Sequence, residues 1–165
     1  MKPLTCMCPL SPPARLQHDV ARVSSVLLRP ANILRLVHVF RSSDRGTFES
    51  LLAPLVSMLD RAPALAVALA GSGLFMADLA ARLSTEPRAL VLKNLLHALT
   101  RILNNAPDAR DLVLEYGLYV PLAKLASTAE SRVLVQRIAS TLLVTVKTIL
   151  GKGSLTMPQG EGLSF

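Results

Sequence analysis

Apolar side chains recur at every third or fourth position over most of this chain, from Ile33, Leu34, Val37 and Phe40 to Leu142, Leu143 and Val146. A helix needs that period to keep one face dry, whereas a half-buried strand would alternate apolar and polar residues. Proline, glycine and polar clusters divide the pattern into segments. Val20, Val23 and Leu27 mark a helix over residues 17–28, and Pro30 ends it or begins the next. The stretch 42–46 is a clear break, after which Thr47 is the expected N-cap of a helix reaching residue 60. Phe48, Leu51, Leu52, Leu55 and Leu59 form its inner face, and Pro54 within it predicts a kink or a split. A short helix over 63–70 follows, then a second over 74–83, then a long one over 88–104. Leu92, Leu95, Leu96, Leu99, Ile102 and Leu103 point inward from the long helix. The same short, short, long order returns over 107–115, 118–126 and 131–150. The β-branched run at 142–146 would read as a strand in isolation, but its place in this order makes it helical.

The order returns because the sequence itself does, at a step of 44 residues. Ala62-Pro63 recurs as Ala106-Pro107, and Gly73-Leu74-Phe75 as Gly117-Leu118-Tyr119. Arg88 recurs as Arg132, and Leu90-Val91 as Leu134-Val135. Leu51, Leu52, Leu55, Met58 and Leu59 map onto Leu95, Leu96, Leu99, Ile102 and Leu103. A partial third copy maps Leu99 and Ile102 onto Leu143 and Val146. Helical repeats of this length form armadillo or HEAT arrays, and three helices per unit is the armadillo pattern. The expected fold is therefore all-α: a right-handed armadillo/HEAT-like helical repeat of about two and a half 44-residue units. Residues 1–14 are expected to be a disordered tail, 15–45 a basic helical arm, 46–150 the repeat domain and 151–165 a second disordered tail.

Composition narrows the function classes. The 165 residues are 51% hydrophobic, 18% charged and 4% aromatic, which suits helices packed through Leu and Ala. Net charge is +7. Much of it lies in residues 1–45, where Lys2, Arg15, Arg22, Arg29, Arg35, Arg41 and Arg45 face only Asp19 and Asp44. Such an arm attracts acidic proteins, anionic lipid or nucleic acid. Without an aromatic before Phe40 it has no platform for base stacking, which argues against nucleic acid. An RNA- or lipid-associated protein recruited by the arm is kept as an alternative. Cys6 and Cys8 are the only cysteines, too few for a tetrahedral zinc site, and they point to a reducing compartment. No run of 18 or more apolar residues is free of charge, so no transmembrane segment is expected. A cytoplasmic protein is expected. The Arg- and Ser-containing first 43 residues, with Asp19 as their one acid, keep a mitochondrial presequence as the alternative.

Catalytic, metal and cofactor patterns are missing from the sequence. His38 and His97 have no carboxylate three or four residues away to orient them as bases. Gly71-Ser72-Gly73 follows no strand and precedes no Lys-Ser/Thr pair, so a phosphate loop is not expected. Its glycines are expected instead to turn the chain between two short helices. No cofactor is expected, and the chain is not expected to be an enzyme. The informative polar residues are Lys93, His97, Arg101 and Asn104, which share one face of the long helix. Arg137 repeats the Lys93 position one unit later, ahead of Thr141, Thr145 and Thr148. In an armadillo stack the third helices line the concave groove, so these residues form a candidate grip for an acidic or phosphorylated peptide.

The run 47–55, Thr-Phe-Glu-Ser-Leu-Leu-Ala-Pro-Leu, resembles a segment of the C-terminal armadillo-like region of fungal septation-initiation kinases. These are Ste-type serine/threonine kinases of the mitotic-exit network. Leu74-Phe75, Tyr116-Gly117-Leu118-Tyr119 and Val133-Leu134-Val135 with Arg137 extend the resemblance over residues 39–150. None of the kinase motifs is present, so no catalytic residue carries over. The resemblance implies a regulatory, protein-binding region acting in cytokinesis. A small GTPase or a spindle-pole scaffold would be its partner, at the spindle pole body or division site. A free-standing armadillo-like adaptor unrelated to kinases is the other reading of the same helices.

Overall fold

The computed structural model describes residues 25–127 and 133–151. The tail at 1–14, most of the helix expected over 17–28 and residues 152–165 lie outside them. Ser25, Val26 and Leu27 are helical. Eight longer helices follow among the described residues: α1 (Pro30–Ser42), α2 (Arg45–Arg61), α3 (Pro63–Ala70), α4 (Gly73–Thr85), α5 (Ala89–Asn105), α6 (Ala109–Glu115), α7 (Tyr119–Ser127) and α8 (Val133–Gly151). No strand occurs among the described residues, so the fold is all-α. Residues 142–146 are helical despite their β-branched side chains.

Local chemistry sets the ends of these helices. Pro30 and Pro63 occupy first-turn positions of α1 and α3, where a missing N–H costs nothing. The cap of α2 is Asp44, not Thr47. The Asp44 carboxylate accepts from the Gly46 and Thr47 amides and from the Thr47 hydroxyl at 2.9, 3.1 and 2.6 Å. Asp44 satisfies two of the orphan donors, so the helix starts three residues earlier than expected. These three bonds also hold the Asp44 carboxyl below the ordinary carboxylate range. Pro54 does not split α2, which runs unbroken to Arg61. Pro54 lies on the exposed side, where water can take the Ser50 carbonyl that its ring leaves without an amide. Gly117 has φ +57°, the left-handed turn expected of it. Gly73 does not share it: it is the first residue of α4, and the Tyr116 hydroxyl passes 3.2 Å from where its Cβ would stand.

The core runs through every helix. α5 is its centre and packs against α2, α3, α4, α6 and α8. Val91, Leu92, Leu95, Leu96, Ala98, Leu99, Ile102 and Leu103 of α5 are all buried. α8 buries only a narrow stripe, Val135, Ala139, Leu142 and Val146. α1, read from the sequence as part of a basic arm over 15–45, belongs to the same core. Its Phe40 ring lies 5.0 Å from Phe48 of α2 and 4.5 Å from Phe75 of α4, centroid to centroid. The Arg82 guanidinium sits 3.8 Å from the Phe48 centroid, bonded to Asp78 at 2.9 Å and reaching the Phe40 and Arg41 carbonyls. A cation over an aromatic face contributes about 0.5–2 kcal/mol, and here it ties three helices together. The arm's cations Arg29, Arg35, Arg41 and Arg45 stay exposed. Leu34, expected on the inner stripe, is 67% exposed because the buried side of α1 centres on Val37 and Phe40.

Arg88, which precedes α5, joins two helices to their connection. It bonds Glu49 of α2 at 2.6 Å and Glu86 at 2.8 and 3.2 Å. α8 spans 19 residues and is, by length and composition, apolar enough to cross a bilayer. Arg137 and Lys147 fall inside it, so it contains no uninterrupted apolar run of that length.

Three outcomes follow from this packing. Leu99→Ala is expected to cost about 2–5 kcal/mol in denaturant unfolding, from lost transfer energy plus a cavity. Gly117→Ala is expected to cost about 1 kcal/mol through its positive φ, although nothing lies within 4 Å of the added methyl. The Arg88 guanidinium holds the Glu86 carboxyl below its ordinary value of 4.5. A depressed folded-state value stabilises the protein above that pH, and the gain is lost as pH falls through the folded value. Wild type is therefore expected to melt higher than Glu86→Gln at pH 7, with the gap closing in acid. A gap independent of pH would remove the ion pair as its cause.

Candidate functional site

The long apolar face of α5 fixes where its polar residues point. With Leu92, Leu95, Leu96, Leu99, Ile102 and Leu103 committed to the core, the four-residue series Lys93, His97 and Arg101 is left on the opposite flank. α2 lies alongside. Between them is an open depression of about 330 Å³, lined by Lys93, Asn94, His97 and Arg101 of α5 and by Ala53, Val56 and Asp60 of α2. The structure thus brings three of the five expected residues together. Asn104 is exposed one turn beyond Arg101 and does not line the depression. Arg137 is exposed on α8 and does not line the depression either.

The charge of this depression differs from the sequence reading. Arg101 is ion-paired with Asp60, so the two largely cancel. The pair is 44% and 42% exposed, which limits its worth to about 0–1 kcal/mol but not its effect on local charge. Lys93 has no ion pair among the described residues. Partial burial, then the nearby Lys93 and Arg101 charges, hold His97 below the ordinary histidine value of 6.5, with Asp60 opposing them weakly. At neutral pH the depression therefore presents one unpaired cation, a neutral imidazole and the Asn94 amide. The threonines of α8 are similarly committed. Thr141, Thr145 and Thr148 donate to the carbonyls of Arg137, Thr141 and Val144 at 3.0, 3.3 and 3.0 Å, leaving their oxygens as acceptors.

Asp60 is the residue that sequence reasoning missed. It sits on a different helix, so no spacing along α5 reveals it. The 44-residue step offered a signal, since Asp60 stands one step before Asn104 on the same polar stripe. Asp60 also puts a carboxylate beside His97, which has none near it along the chain, but its ion pair is with Arg101. Among the described residues, no group of three His, Cys, Asp or Glu side chains is placed to hold a metal ion. What the depression offers chemically is electrostatic and hydrogen-bonded grip on an anionic group. Comparison with family models, with curated proteins and with solved structures finds no match.

The electrostatics of His97 are open to direct measurement. Followed by proton NMR, it is expected to titrate below 6.5. Lys93→Met should raise its midpoint and Asp60→Asn should lower it, because one removes a like charge and the other a favourable one. A midpoint insensitive to both would detach His97 from the cluster.

Proposed function

We propose that the chain is a non-catalytic protein-interaction module of about two and a half armadillo-like units, each 44 residues long. It resembles the regulatory C-terminal region of a septation and cytokinesis kinase. The helix bounds support the repeat: α2 and α5 begin at Arg45 and Ala89, one 44-residue sequence step apart, and α8 covers the next equivalent stretch. Two shorter helices separate each successive pair, and α5 packs against both of its equivalents. By the same resemblance, its setting is the cytoplasm near the spindle pole or division site, with a small GTPase or a scaffold as partner.

The ligand is an acidic or phosphorylated peptide held against the α2–α5 depression. The observation that carries this is the convergence of Lys93, His97 and Arg101 on one open surface beside Asn94. A phosphate or carboxylate entering there meets Lys93 directly. It also competes with Asp60 for Arg101, exchanging an exposed pair for a charge-assisted bond to the ligand.

The pairing makes the test sign-specific. A fluorescent peptide bearing phosphoserine among glutamates is titrated by anisotropy at two salt concentrations. Lys93→Glu should weaken binding about tenfold, ~1.4 kcal/mol, and reduce its salt dependence. Asp60→Asn should strengthen it by freeing Arg101. Both variants lie on the surface and should melt close to wild type. Equal affinity across the three proteins would leave the stripe as solvated helix surface.

A further inference from the structure

A second cleft, sharing no residue with the first, has the opposite charge. It opens between the end of α3 and the start of α6 and encloses about 560 Å³. Val67 and Ala70 of α3 and Leu112 of α6 give it an apolar floor. Tyr116 walls it toward Gly73, its hydroxyl fitting where a larger residue would project. Along the α6 side stand Asp108, Asp111 and Glu115, and no Lys or Arg lines it. On a chain of net charge +7 this is a local reversal of sign.

Asp108 and Asp111 are not taken up elsewhere, whereas Glu115 interacts with the Tyr116 phenol. Asp108 precedes α6 yet makes no capping hydrogen bond with its side chain. Neither Asp108 nor Asp111 has an ion pair among the described residues. Residues three and four apart on one helix face are neighbours, and like charges so placed repel, so the row lacks a compensating cation. Partial burial, and then Glu115, push the Tyr116 phenol above its ordinary value of 10.0, in keeping with a negative local field.

We propose that this cleft docks an extended segment of a protein partner that alternates arginine or lysine with apolar residues. The spacing fits. Carboxylates one helical turn apart are separated by about 5–6 Å. Alternate residues of an extended peptide repeat at about 6.5–7 Å, near enough for flexible arginines to reach successive carboxylates. The intervening apolar side chains then face the other way, toward Val67 and Ala70. Arginine supplies the planar, bidentate partner that a carboxylate row favours.

The probe is a fluorescein-labelled peptide of sequence Gly-Arg-Leu-Arg-Leu-Arg-Gly, with a glutamate-for-arginine version as control. With the full chain, the arginine peptide is expected to bind more weakly as salt rises. It should shift the amide resonances of Gly71, Gly73 and Tyr116. The double variant Asp111→Asn, Glu115→Gln should bind it roughly tenfold more weakly while keeping its melting temperature. Lys93→Glu should bind it as wild type does, which separates this cleft from the acidic-peptide site. Equal binding by wild type and the double variant overturns the proposal, as does equal binding of the glutamate peptide. Binding that appears only after Arg15→Glu and Arg22→Glu would place the chain's own N-terminal segment in the cleft and overturn the assignment to a partner. A dimer dissolved by the double variant would do the same in favour of a second copy.

Discussion

Burial of α5 on nearly all sides is the constraint from which the rest of the molecule follows. Eight of its residues are buried, in two adjacent helical rows that face different neighbours. Each row needs its own cover. α2, α3 and α8 supply most of it, and α4 and α6 add smaller contacts. At about 25 cal/mol per Å² of apolar surface, no other helix contributes as much to the hydrophobic term. The polar series on α5 is what remains once those rows are satisfied, so the candidate groove is a consequence of packing. The Phe40–Phe48–Phe75 cluster does for the first helices what α5 does for the middle. Arg82 lies on its edge as a charged lid whose donors are occupied by Asp78 and two carbonyls.

Much of the helical order was legible in the sequence, because proline marks helix starts without needing tertiary context. The bounds of α3 could be read directly from Pro63 and the Gly71-Ser72-Gly73 turn. Misreadings arose where two local signals compete. Asp44 and Thr47 are both good caps, and the choice depends on which side chain reaches the free amides. Pro54 is a helix breaker by propensity, yet its exposed position lets solvent satisfy what the ring displaces, and the packing of Leu52, Leu55 and Leu59 overrides the rest. Leu34 has the right period but lies at the rim of a stripe two residues wide. The glycines at 73 and 117 occupy matching positions in sequence for different reasons, one for close approach and the other for a left-handed turn.

The groove was partly legible for a similar reason. Spacing along one helix determines which residues share a face, and it collected Lys93, His97 and Arg101 correctly. It is silent about what the neighbouring helix brings. Asp60 pairs with Arg101, while burial and the neighbouring cations keep His97 neutral, so the site holds one free ammonium, an ion pair and a neutral imidazole. The acidic cleft was hidden for the same reason. Its carboxylates follow one another along α6, but only the approach of α3 and the Tyr116–Gly73 contact make them a wall.

Net charge is a poor guide to what either surface binds. The excess of +7 draws heavily on residues 1–45, where Arg29, Arg35, Arg41 and Arg45 are exposed. At physiological salt the screening length is about 8 Å, so these arginines influence an approaching partner only across neighbouring surface. Within each cleft the nearest charges dominate because they lie well inside that length. The α2–α5 depression and the α3–α6 cleft are therefore separate local fields of opposite sign on one all-α fold. A partner segment with separated acidic and basic stretches would satisfy both at once, and joining the two contacts through one linker would raise the effective concentration of each. Such a segment would be favoured over a purely acidic or purely basic chain, which would gain only one of the two contacts.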